Sequence, residues 1–94
     1  MQNGQIADVF DEVADLLEFQ GANAFRVRAY RQGARTIREM QQSAAAVSKE
    51  GLETLITLPG IGKDLAAKCL ELVQTGTLQM LEALRLEIPA TVLA

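Results

Sequence analysis

Ile6, Val9, Phe10, Val13, Leu16 and Leu17 follow one another at three- and four-residue steps, while Asp8, Asp11, Glu12, Asp15 and Glu18 fill positions between them. That is the period of a helix with one apolar and one charged face, and it predicts a first helix over residues 5–19. Gln20-Gly21-Ala22-Asn23 breaks the pattern; glycine suits the left-handed residue just past a helix end, and asparagine suits an N-cap. A second helix is expected over 24–40, with Val27, Ala29, Tyr30, Gly33, Ala34, Ile37 and Met40 on its apolar side. Arg28, Arg31, Arg35 and Arg38 share the other side, within roughly 80° of one another at about 100° per residue.

Further along, Ser43 precedes a short alanine-rich stretch and reads as the cap of a helix over 43–49 that Gly51 ends. A helix over 52–57, a turn at Leu58-Pro59-Gly60-Ile61-Gly62 and a longer helix over 63–74 come next. Gly76 closes that helix. A last one over 77–86 places Leu78, Leu81 and Leu84 inward and stops before Pro89. No strand-like alternation and no fixed repeat is present. The expected architecture is all-α: one domain over 1–94, a compact bundle of four to five helices around one helix-hairpin-helix motif.

Composition narrows this further. The chain has 94 residues, 49% of them hydrophobic and only 4% aromatic, so its core is built from aliphatic side chains, as packed helices prefer. Cys69 is the only cysteine and histidine is absent, which excludes a disulfide framework and leaves too few ligands for zinc. With no apolar run near the ~20 residues that span a bilayer and no basic segment at Met1 to Gln5, the reading is a soluble cytoplasmic chain in a reducing compartment.

The formal net charge is −3, unlike a typical basic nucleic-acid domain. Its distribution is more informative. Residues 1–21 carry five acids and no base, whereas residues 22–50 carry six bases and two acids. Two readings of the arginine stripe stay open: a row facing DNA phosphates, or a solvated face paired with the acidic first helix.

Leu58-Pro59-Gly60-Ile61-Gly62-Lys63 is the stretch with most chemistry. Two glycines around one aliphatic residue allow a tight turn and close approach of backbone to a ligand, with Ile61 plugged between the helices. The N–H groups around Gly60 to Lys63 fall at the positive end of the next helix and suit a phosphate. Such a contact holds DNA backbone without reading bases. A ligand-free turn is the alternative.

Phe25-Arg26-Val27-Arg28-Ala29-Tyr30-Arg31, followed by Ala34-Arg35-Thr36-Ile37, resembles the second helix of bacterial family X (DNA polymerase beta-like) repair polymerases. Leu58 to Lys63 resembles their first helix-hairpin-helix. Leu65-Ala66-Ala67-Lys68, Thr75-Gly76 and Leu81-Glu82 continue the likeness, which breaks off after Glu87-Ile88-Pro89. The resemblance implies a monomeric module, complete or cut from a larger polymerase chain, that binds gapped or nicked DNA. The candidate DNA contacts are then Gly60, Ile61, Gly62 and Lys63 of the hairpin and the stripe Arg28, Arg31, Arg35 and Arg38, read from spacing above, with Arg26 added by the resemblance.

It also implies a monovalent cation on hairpin carbonyls, and no other cofactor. A 5′-deoxyribose-phosphate lyase step would run through a Schiff base on Lys68, near Tyr30. Schiff-base chemistry needs a neutral amine, and Lys68 lies at the border of its helix's apolar face. An ordinary surface lysine and a core tyrosine are the plain alternatives. Where the family has lysines around the phosphate, this chain has Asp64, Gln32, Thr77 and Met80. No Asp-x-Asp pair is present, so two-metal nucleotidyl transfer has no ligand set in this sequence. A degenerate domain that binds a protein partner is the third reading.

Overall fold

The computed structural model describes residues Met1–Glu87. Pro89 and the segment beyond it lie outside the described residues. Six helices account for the described chain: α1 Asn3–Phe19, α2 Ala24–Glu39, α3 Ala44–Ser48, α4 Leu52–Ile56, α5 Lys63–Thr75 and α6 Gln79–Glu87. No strand occurs among the described residues, so the all-helical expectation holds. The helices number six because α3 and α4, of five residues each, stand as separate single turns.

Local chemistry explains where they stop and start. At the start of α1, the Gln2 backbone N–H donates to Gln5 Oε1 at 2.8 Å, which occupies one of the donors a helix start leaves unpaired. Asn23 caps α2 by accepting from Phe25 N–H at 2.7 Å, and Ser43 caps α3 by accepting from Ala46 N–H at 3.3 Å. Gly76, at φ 78°, ends α5 in the left-handed conformation that glycine adopts without steric penalty.

α1 and α2 form the main pair, and α6 packs on α1. The pairing is antiparallel: Arg38, late in α2, meets Asp8 and Asp11 early in α1, and Arg31 meets Asp15 and Glu18 farther along. α3, α4 and α5 pack together as a second group. Asn3 links the start of α1 to this side, since its amide nitrogen donates to Gln42 O and its oxygen accepts from Ala44 N–H, both at 2.8 Å.

One continuous core joins the two groups. Phe10 and Tyr30 meet edge to face with centroids 6.0 Å apart, and Ile37, Leu55, Ile61, Leu65, Cys69, Leu72, Leu78, Leu81 and Leu84 complete the interior. Ala29 departs from expectation: it is exposed, because at about 100° per residue it falls at the edge of the apolar stripe, far from the direction of Tyr30 and Ile37. Burial pushes the Cys69 thiol up to about 11, so it stays protonated at neutral pH and serves as a small core group. No helix among the described residues is long and apolar enough to cross a membrane.

Candidate nucleic-acid interface

The hairpin between α4 and α5 is shaped by one backbone bond and two contacts to α2. Ile61 N–H donates to Leu58 O at 3.1 Å, closing the turn over Pro59 and Gly60. Gly60 sits at φ 75°, and a β-carbon there would lie 2.5 Å from Gln32 Cγ, so both conformation and space require glycine. The Thr36 hydroxyl donates to Pro59 O at 2.6 Å. Ile61 is 3% exposed and wedges beneath α2, where Gly33 makes room: a β-carbon at Gly33 would stand 3.0 Å from Leu65 Cδ1 and 3.4 Å from Ile61 Cδ1. In the sequence Gln32 stood out only as replacing a lysine of the resembling polymerases and Thr36 only as part of the resembling segment; neither was marked as a contact of the turn. Their one-turn spacing on α2 was visible, but not which neighbour they would meet.

α5 begins without a cap. Gly62, its N-cap residue, has no side chain to accept, and the helix's first backbone bond runs from Ala66 N–H to Gly62 O at 2.9 Å. The amides of Lys63 and Asp64 therefore have no hydrogen-bond partner among the described residues, at the end of a thirteen-residue helix whose dipole favours an anion. Lys63 is exposed beside them. Gly60, Ile61, Gly62 and Lys63 thus come together as a unit, with Ile61 holding the turn and the other three facing solvent.

The five arginines of α2 do not form one uniform face. Arg31 pairs with Asp15 at 3.0 Å and Glu18 at 3.5 Å, and Arg38 with Asp8 at 2.9 Å and Asp11 at 3.2 Å. Hydrogen bonds donated to Asp11 and Asp8 hold the Arg38 guanidinium above its ordinary pKa. Arg26, Arg28 and Arg35 are exposed and have no such pair among the described residues. Arg28 instead lies 4.8 Å over the ring of Phe25, which is 76% exposed. Of the two readings of the stripe, pairing with α1 describes Arg31 and Arg38 only.

Lys68 and Tyr30 are brought together by Asp64. Lys68 Nζ donates to Asp64 Oδ1 at 2.6 Å, and the Tyr30 hydroxyl donates to Asp64 Oδ2 at 3.4 Å while 3.2 Å from Met80 Sδ. Tyr30 is 1% exposed, its ring in the core and its hydroxyl at the edge. Burial pushes its phenol pKa up, against the pull of Lys68 and Arg26, with Asp64 adding to the rise. For Lys68, partial burial disfavours the charge, but the Asp64 hydrogen bond and the neighbouring Tyr30 outweigh it, so its pKa lies above the ordinary lysine value. Asp64 and Met80 thus meet at one hydroxyl, and Gln32 sits against Gly60.

These elements carry a family signature. The model of the helix-hairpin-helix domain matches residues 1–78, and the chain belongs to that family, whose members generally bind DNA without sequence preference. No curated protein matches the chain.

Proposed function

We propose that this domain grips the sugar-phosphate backbone of gapped or nicked DNA, as a monomer and in a repair setting inside the cell, by way of the hairpin and the start of α5. The observation that carries the reading is the uncapped α5 terminus: unpaired amides at Lys63 and Asp64, a glycine that lets a ligand approach, and the exposed Lys63 side chain. The likeness to family X polymerases supports the choice of gapped DNA and a place within a larger repair enzyme.

A monovalent cation fits the same turn. The carbonyls of Gly60 and Ile61 accept no hydrogen bond among the described residues, and their hard oxygens would hold such an ion, which neutralises charge between backbone and phosphate.

The test separates amide from charge. Lys63 is the first helical residue, where proline fits and removes only an N–H that the helix does not use. Lys63→Gln should lower the salt dependence of binding by about one ion and weaken affinity modestly. Lys63→Pro should weaken gapped-DNA binding further while the melting temperature holds. Wild type should show a log–log salt slope of about −2 to −3. Equal affinity of Lys63→Pro and Lys63→Gln would remove the Lys63 amide from the contact.

A lyase step at Lys68 is the second reading, favoured by the grouping of Lys68 with Tyr30 and opposed by the protonation state that Asp64 imposes on the amine. Borohydride trapping on DNA bearing a 5′-deoxyribose phosphate, with Lys68→Ala and Lys63→Ala as controls, decides between a Schiff base at either lysine and none.

A further inference from the structure

α2 carries four of its arginines as two rows. At about 100° per residue, positions seven apart fall within about 20° of each other, so Arg31 and Arg38 form one row and Arg28 and Arg35 a second, about 60° around the helix. The first row is tied to α1 through Asp8, Asp11, Asp15 and Glu18. The second faces solvent.

Arg28 uses Nε on Ala24 O at 3.4 Å and its face on Phe25, which leaves its terminal nitrogens without a protein partner among the described residues. Arg35 makes no hydrogen bond or ion pair among them. Gln32 lies one turn from each arginine and touches Gly60, while Thr36, next to Arg35, holds Pro59. The row therefore runs past the hairpin's mouth. A shallow depression of about 280 Å³ opens between Arg28, Arg31, Gln32 and Arg35. Glu39, one turn beyond Arg35, marks the end of the row with a carboxylate.

We infer that Arg28 and Arg35 hold DNA phosphates beyond those at the hairpin, and that Arg31 and Arg38 take no part in binding. This rests on the hairpin reading above. The two arginines are about 10 Å apart along the axis, close to the rise of about three nucleotides at about 3.4 Å each. Guanidinium groups without internal carboxylates can form charge-assisted bonds to phosphate at once, whereas Arg31 and Arg38 would first have to give up theirs.

The experiment compares R28Q/R35Q, R31Q/R38Q and Lys63→Pro with wild type, by fluorescence anisotropy on a gapped duplex and on a 5′-phosphorylated single strand, alongside thermal melts. R28Q/R35Q should keep the wild-type melting temperature and flatten the salt slope on the duplex by about 2. Between about 50 and about 200 mM salt, wild type should then lose about tenfold more affinity than this variant. R31Q/R38Q should keep affinity and slope but melt earlier.

An equal loss for R28Q/R35Q on the single strand places the phosphates on the strand the hairpin holds. A loss on the duplex alone places them on the complement, and either supports the assignment. Wild-type binding by R28Q/R35Q beside weakened Lys63→Pro overturns the arginine row and leaves the hairpin intact. Full binding by Lys63→Pro beside weakened R28Q/R35Q overturns the hairpin reading, and with it an arginine row that acts beyond the hairpin. Equal losses from the two arginine pairs overturn the division between them.

Discussion

Where α2 meets α1, apolar side chains interlock below and the rim above is closed by charge: Arg31 and Arg38 each lie between two carboxylates of α1. Where α2 meets the hairpin, the contact is close but its rim is left open. Gly33 lets Ile61 and Leu65 approach, Gln32 and Thr36 touch the turn, and the amides that start α5 find no acceptor. The same helix thus makes one junction that is electrostatically complete and one that is not. Unpaired polar groups at a surface are cheap only while water serves them, and they are what a phosphate can use. Charge pairing is concentrated at the first junction and unpaired donors at the second.

The largest effect should come from filling the hairpin junction. In Gly33→Val the new side chain meets Leu65, Ile61 and Phe10, already within 3.0–3.6 Å of a single β-carbon. Overpacking of this kind costs about 2–3 kcal/mol, which lowers the melting temperature of a domain this size by about 10 °C or more. Calorimetry reads it directly. An unchanged melting temperature would mean that the hairpin sits off α2 and that the close contact is not what holds it.

A somewhat smaller effect probes how dry the interior beneath the hairpin is. The folded Cys69 thiol is raised to about 11, against an ordinary value of 9.0. Its contribution to stability is therefore complete below the unfolded value and is lost as pH rises toward the folded one, because unfolding then releases a proton. Between about pH 9 and about pH 11 this amounts to on the order of 2 kcal/mol. Urea melts across that range should decline in wild type and decline less in Cys69→Ala. Parallel curves would show that water reaches the thiol.

How far the sequence went follows the same division. Helix positions were legible because they depend on neighbours in the chain: Asn23, Ser43 and Gly76 act within a few residues of themselves, and each does what its type suggested. The turn at Leu58 to Gly62 was legible for the same reason. Partners between helices were not. A 3.6-residue period puts all four arginines on one side, but whether a given one meets α1 depends on the angle and register of two packed helices, which no single helix encodes. The joining of Tyr30, Asp64, Lys68 and Met80 was suggested only by the resemblance, because the residue pattern of one helix cannot give a cluster that takes three helices to assemble.

The smallest predicted effect sets the two junctions directly against each other, through one carboxylate from each. Asp64 stands in the first turn of α5, where it favours its own helix and pairs with Lys68, yet it lies among the amides offered to phosphate. Asp64→Asn should cost about 0.5 kcal/mol of stability, because an exposed pair four residues apart and one favourable helix-end charge are lost. DNA affinity should rise about two- to fivefold, since a repulsion of similar size is removed. The Lys68 amine, released from its main acceptor, should titrate at a lower pH, and NMR of the lysine side chain can follow it. Asp15→Asn, on the far rim of α2, should leave Lys68 untouched and DNA affinity within error, because screening confines such effects to about 8–10 Å at ordinary salt. Equal gains in affinity from both substitutions would show that DNA senses only the net charge of the domain. A gain confined to Asp64→Asn locates the phosphate at the start of α5.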